Sequence, residues 1–173
     1  IDSLYFDSAA GVVAPFIENG YDLIYGGGNL GLMGAVSSAF YHGGRSVTGV
    51  IPEKLDAHVG VPEYISENIV TETMADRKSI MRSRAGVFMA LPGGFGTLEE
   101  ILEVITLKQL GYIDTPVIIV NTAGFYDKLL ELFESIYVKK FAKEIYRDLY
   151  FVSDNAEEIF SYVNNYKKFG DRL

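Results

Sequence analysis

Two glycine-rich stretches and one basic stretch of this chain hold the residue types that could do chemistry. In PGGFGTLEE, residues 92–100, Gly93, Gly94 and Gly96 stand between the apolar run GVFMAL and a helix-like segment. Glycines in such a turn permit positive φ and a close backbone approach to a ligand, and the amides of a following helix N-terminus favour an anion. Glu100 then sits one helical turn behind Thr97, so the pattern reads as a phosphate cradle with a carboxylate beside it. A plainer reading exists, because Thr97, Leu98, Glu99 and Glu100 also spell a capping box that satisfies orphan amides. It accounts for Thr97 and Glu100 but not for three glycines in four positions, since one residue with positive φ turns a strand into a helix.

The second stretch, YGGGNLGLMG from Tyr25 to Gly34, follows a strand-like run and opens a helix. Open α/β sheets bind ligands at this place, outside the carboxyl ends of their strands. Gly26, Gly28 and Gly31 fit G-x-G-x-x-G, yet no acidic residue ends the next strand to hold a ribose; Val47 to Ile51 runs into Pro52, with Glu53 the nearest acid. Tight packing and ligand contact both remain open for Gly26, Gly27 and Gly28. In the third stretch, MADRKSIMRSR, Arg77 and Lys78 begin a helix-like segment where basic residues oppose the helix dipole. A solvated face explains Lys78, Arg82 and Arg84, whereas the planar fork of Arg77 suits a phosphate or carboxylate.

The elements that must position these residues alternate between β-like and helix-like runs, the pattern of an α/β protein with a mostly parallel sheet. Strands are expected at Asp22–Tyr25, Val47–Ile51, Asn68–Thr71, Val87–Leu91, Val117–Val120 and Tyr150–Val152. Ser3–Asn19 and Leu32–His42 read as helices stopped by Gly20 and by Gly43 and Gly44. Helical stripes recur at Leu98, Ile101, Leu102 and Ile105, at Phe125, Leu129, Leu132, Phe133 and Ile136, and at Ala156, Ile159, Phe160 and Val163. These predict core or dimer contacts. Pro52 to Pro62, the longest non-periodic segment, reads as a loop over the ligand site.

With 173 residues, 49% hydrophobic and 22% charged, the chain can bury one core and is too short for two full enzyme domains. Residues 1–173 are therefore expected to form a single domain. The net charge of -8 disfavours a nucleic-acid backbone or an anionic membrane as partner. No run approaches the length of a membrane span and no signal pattern opens the chain, which predicts a soluble, cytoplasmic protein. Cysteine is absent, and His42 and His58 alone would not make a zinc site, so no metal is expected. Because the first residue is Ile1, something upstream is expected to be missing.

Taken together the three stretches resemble the LOG (Lonely Guy) family of nucleotide 5′-monophosphate phosphoribohydrolases. The family signatures GGG-x-x-GLMG, a methionine followed by an Arg-Lys pair, and PGG-x-GT-x-x-E match Gly26–Gly28 with Gly31–Gly34, Met74 with Arg77 and Lys78, and Pro92–Glu100. The similarity continues through EVITLKQLG and PVIIVN, covering nearly the whole chain. Such sequences are often labelled lysine decarboxylases, a reaction whose pyridoxal cofactor needs a much larger enclosing scaffold.

The resemblance implies a Rossmann-like three-layer α/β/α sandwich, a homodimer, and hydrolysis of the N-glycosidic bond of a nucleoside 5′-monophosphate without a cofactor. It assigns catalysis to Arg77 and Glu100, and nucleotide contacts to Lys78, Gly94, Gly96, Thr97 and Thr106. Gly26, Gly27, Gly28, Met74, Gly93, Phe95, Leu98 and Glu99 complete the expected binding set. The family's opening strand and Gly-Ser turn would lie upstream of Ile1. Its histidine after the methionine is Ala75 here, its aspartate before the PGG strand is replaced around Gly86, and only Asp56 lies near a loop acid supplied by some members. The rival reading is a non-catalytic nucleotide or molybdenum-cofactor carrier on the same scaffold, which could dispense with Glu100.

Overall fold

Each apolar run expected as a strand is one in the computed structural model, which describes residues 1–55 and 62–170. The chain divides into two units, Ile1–Ala85 and Gly86–Leu173.

The first unit runs α1 (Ser3–Glu18), β1 (Leu23–Tyr25), α2 (Gly31–His42), β2 (Val47–Pro52), β3 (Glu67–Thr71) and α3 (Met74–Arg84). Its strands form a parallel sheet in the order β1-β2-β3, with Tyr25 opposite Gly49 and Val50 opposite Ile69. Val47 and Val50 on the central strand are fully buried, as the absence of polar alternation in VTGVIP implies for a strand covered on both faces. Ala9, Val12, Val13 and Phe16 of α1 and Val36 and Phe40 of α2 are buried too. Each large apolar side chain among them contributes about 2 kcal/mol relative to exposure. Gly20 (φ 85°) and Gly44 (φ 73°) end α1 and α2 as expected. Tyr21 N–H bonds Phe16 O and Arg45 N–H bonds Phe40 O, closing both helices with Schellman motifs.

The second unit runs β4 (Phe88–Ala90), α4 (Phe95–Gln109), β5 (Val117–Val120), a 3₁₀ turn (Thr122–Gly124), α5 (Asp127–Val138), a second 3₁₀ segment (Glu144–Leu149), β6 (Phe151–Ser153) and α6 (Ala156–Asn164). The sheet order is β4-β5-β6, again all parallel, with Ala90 opposite Ile119 and Ile118 opposite Phe151. All four residues of β5 are buried. Ala90, Ile101, Val104, Ile119, Phe133 and Tyr137 build its core, with Leu98, Ile105, Leu129 and Ile136 packed against them. These parallel strands with flanking helices make an α/β, Rossmann-like fold.

The differences from expectation are local. Pro52 belongs to β2, opposite Thr71, rather than to a loop, because the end of a strand needs no N–H from it. The remainder of the proposed loop includes residues 56–61, so Asp56 and His58 lie outside the described residues. Helix α4 begins at Phe95, two residues earlier than Thr97. Of the stripe residues, Phe125, Leu132 and Leu102 are exposed. Among the described residues no helix is long and apolar enough to cross a membrane, and no group of three or more His, Asp or Glu side chains is placed to hold a metal ion.

Candidate active site

In the first unit the chain leaves β1 at Tyr25 and turns through Gly26–Leu30 into α2. Gly27 takes φ 79°, and a β-carbon there would also press on Ile51 Cβ at 3.0 Å. Gly34 allows the first turn of α2 to sit on the Asn29 carbonyl, whose carbon would be 2.7 Å from any β-carbon. Packing and backbone conformation thus demand two of these glycines.

Arg77 arrives from α3, whose N-terminus is fixed by Thr73. The Thr73 hydroxyl accepts from Asp76 N–H at 3.1 Å and donates to the Asp76 carboxylate at 2.6 Å. Asp76 in the first turn offsets the dipole penalty of the following Arg77 and Lys78. Arg77 is 8% exposed, and its Nε donates to Val50 O at 3.0 Å. Its guanidinium lies against Gly26, where a β-carbon would collide with Nη2 and stand 3.4 Å from Cζ. Lys78 is half-buried, and Met74, at the first helical position, is exposed.

In the second unit β4 delivers Pro92–Gly94 to the N-terminus of α4. Gly94 is the N-cap, with φ −88° and ψ −160°, and no side chain caps the helix. The capping box read from the sequence is therefore not formed: Thr97 is the third residue of the helix, too far in to serve as its N-cap. Nor do Gly93, Gly94 and Gly96 take positive φ; that conformation falls instead on Gly27 and Gly31 in the other turn. A β-carbon on Gly93 would clash with Thr97, 2.8 Å from its Cβ. Gly94 and Gly96 face open space, with nothing within 4 Å of where a β-carbon would be. Two glycines required neither by packing nor by φ thus flank an uncapped helix N-terminus, where backbone amides can approach an anion.

Phe95 at the tip is 91% exposed. Glu99 is exposed and Glu100 half-buried, whereas Leu98 is partly buried against the core. Thr106 is exposed and its hydroxyl donates to Leu102 O at 2.8 Å.

Two residues escaped the sequence reading. Tyr126, 2% exposed, donates its hydroxyl to Leu91 O at 2.6 Å and accepts from the Gly93 amide, tying down the entry to the glycine turn. Burial pushes this phenol up to about 12, against the lowering effect of the Gly93 bond. Asn121 orients it by accepting from Tyr126 N–H at 2.7 Å and donating to Asp127 at 2.8 Å. Asn121 at the strand end was the local signal for such a turn.

The other is Lys108, 1% exposed within α4, its ammonium 4.8 Å from the centre of the Tyr166 ring. Asp114 next to it accepts from Tyr166 Oη, Phe169 N–H and Gly170 N–H. Burial would raise the Asp114 carboxyl, but these bonds and the Lys108 charge hold it below its ordinary value.

Residues 33–163 match the family described as "Possible lysine decarboxylase". The chain is 41% identical over 162 residues to the cytokinin riboside 5′-monophosphate phosphoribohydrolase LOG2 of Arabidopsis thaliana, covering 94% of this chain and 76% of that protein. It is likewise 41% identical to the cytokinin riboside 5′-monophosphate phosphoribohydrolase LOG of Oryza sativa subsp. japonica, over 94% of this chain and 67% of the relative. The chain belongs to the LOG family. Among solved structures, the molybdenum cofactor carrier protein of Chlamydomonas reinhardtii superposes with a TM-score of 0.70 at 20% identity, over 94% of this chain and 88% of that one. At that identity the likeness extends to the fold alone, the same Rossmann-like fold that its LOG membership implies.

Proposed function

We propose that this LOG-family chain is a phosphoribohydrolase: it adds water across the C1′–N bond of a nucleoside 5′-monophosphate, AMP or a cytokinin riboside monophosphate, releasing the free base and ribose 5-phosphate. The observation that carries the reading is the uncapped start of α4 with Gly94 and Gly96 open in front of it. Together with membership of the family, it supports a 5′-phosphate held by the first amides of α4.

Glycosidic hydrolysis passes through an oxocarbenium-like transition state. Glu100 supplies negative charge to the ribosyl cation and accepts a proton from the attacking water, while the departing base takes up a proton at its ring nitrogen. Arg77 supplies fixed positive charge, and Lys78, Thr97 and Thr106 add polar contacts to the nucleotide. Holding the remote phosphate converts binding energy into orientation of the sugar.

A carrier role is less supported, since the carrier-like structures are only 20% identical and this chain keeps Glu100. Exposed Leu102 and Leu132 on its helices support a homodimer, which light scattering should report at twice the 19.2 kDa of one chain. The test of the activity is chromatography of AMP incubated with the full-length protein. Adenine and ribose 5-phosphate should appear together, and Glu100→Gln should slow their release by about 100-fold or more. Bound but uncleaved AMP in the wild type would favour the carrier.

A further inference from the structure

We infer that Gly26 is the seat of the Arg77 guanidinium and serves the reaction by positioning that side chain rather than by touching the nucleotide, an inference that rests, for its kinetic consequence, on the phosphoribohydrolase reading. The φ of Gly26 lies outside the left-handed region, so backbone conformation does not require glycine at this position. Space does. The place a β-carbon would take is filled by Nη2 of Arg77, with Cζ at 3.4 Å and Met33 Sδ at 3.5 Å completing the wall.

The other side of the same guanidinium is pinned. Arg77 Nε donates to Val50 O at 3.0 Å in a buried bond, so the head group is held between a β2 carbonyl and the bare backbone of Gly26. Next along the turn the backbone runs close over β2, where a β-carbon on Gly27 would stand 3.0 Å from Ile51 Cβ. A methyl group at residue 26 therefore moves the one mobile partner, the end of the arginine side chain. The fold survives, and a buried charge is misplaced by about 1 Å, a displacement that typically costs on the order of 100-fold in rate.

The two positions should not act additively. Lysine at position 77 has no Nη2 to collide with a new methyl group, so the effect of Gly26→Ala should vanish when Arg77 is already Lys. Residues acting through one contact behave in this way, whereas independent contacts to a ligand add.

The experiment compares kcat/KM for AMP in the wild type, Gly26→Ala, Arg77→Lys and the double variant. Gly11→Ala serves as control, since a β-carbon on Gly11 meets nothing within 4 Å. In parallel, the Arg77 Nε–H resonance is followed by 15N NMR. Gly26→Ala should stay folded by circular dichroism and lose about 100-fold in kcat/KM. The double variant should fall within about twofold of Arg77→Lys alone. The Nε–H signal, slow to exchange in the wild type, should shift and exchange faster in Gly26→Ala but not in Gly11→Ala.

Additive losses would overturn the inference by giving Gly26 its own contact to the nucleotide. So would an Nε–H signal unmoved by Gly26→Ala. A wild type that cleaves no AMP would count against the hydrolase reading alone, and the NMR comparison would still decide the seat.

Discussion

After β1, a side chain on Gly27 would have to adopt φ 79° and meet Ile51 Cβ at 3.0 Å; after β4, a side chain on Gly94 or Gly96 would meet nothing within 4 Å. In sequence both turns look like phosphate loops. In space the first is closed by packing, its glycines letting α2 sit on Asn29 and the Arg77 guanidinium sit on Gly26. The second is closed only at Gly93, under Thr97, and open at the uncapped start of α4. Glycine enrichment alone does not distinguish these cases. What distinguishes them is whether protein already occupies the volume a β-carbon would need.

The largest effect is expected at Gly34. A methyl group there would press on the Asn29 backbone, which has no flexible end to swing aside, so Gly34→Ala should cost about 3 kcal/mol or prevent folding. Urea denaturation measures it, and a wild-type midpoint would mean the first turn is looser than described. Next in size is Tyr126→Phe, which removes the hydroxyl holding Leu91 O and the Gly93 amide. A loss of about 1 kcal/mol is expected, with KM for AMP rising as the second turn loosens. A change in stability with no change in KM would separate the anchor from the site.

In the second turn, Gly96→Ala adds a methyl group where no protein atom stands. It should leave stability unchanged or raise it by up to about 1 kcal/mol, since alanine suits a helix and the space is open. AMP affinity should nevertheless fall, as the methyl group enters the volume assigned to the ligand; unchanged affinity would remove Gly96 from the site.

The smallest effect belongs to the far end of α4. Asp114 is held below its ordinary 3.8 in the folded chain, so its bonds to Tyr166, Phe169 and Gly170 contribute fully above that pH and are lost as pH falls through the lowered value. Melting temperatures of the wild type and Asp114→Asn should differ at pH 6 and converge at strongly acid pH. A gap that persists in acid would assign the contribution to shape rather than charge.

Much of this was legible in the chain. Six short β-like runs, several of them apolar on consecutive residues, marked the strands, and Gly20 and Gly44 marked helix ends because a Schellman motif wants a residue at positive φ. The end of α5 was not legible in that way, since Lys140 takes the same conformation at φ 62° without a glycine to announce it. At the site, residue types named the turns, but φ and occupied volume are properties of the packed chain, and so positive φ was expected in the wrong turn. Thr97 and Glu100 had the spacing of a capping box, and only the earlier start of α4 at Phe95 shows that neither caps it. Lys108 occupies the buried stripe of Ile101 and Val104, where a charge contradicts the pattern. Its partners, Tyr166 and the Asp114 clamp on Phe169 and Gly170, lie too far along the chain for local spacing to reveal.

Whether the open turn after β4 holds a 5′-phosphate is decided by kcat/KM of the full-length wild type for AMP against adenosine. Two or more charge-assisted hydrogen bonds to the phosphate, each worth about 1.5–3 kcal/mol, predict a preference for AMP of at least about 100-fold. Comparable release of adenine from both substrates would contradict the phosphate assignment and leave Gly94 and Gly96 without a function.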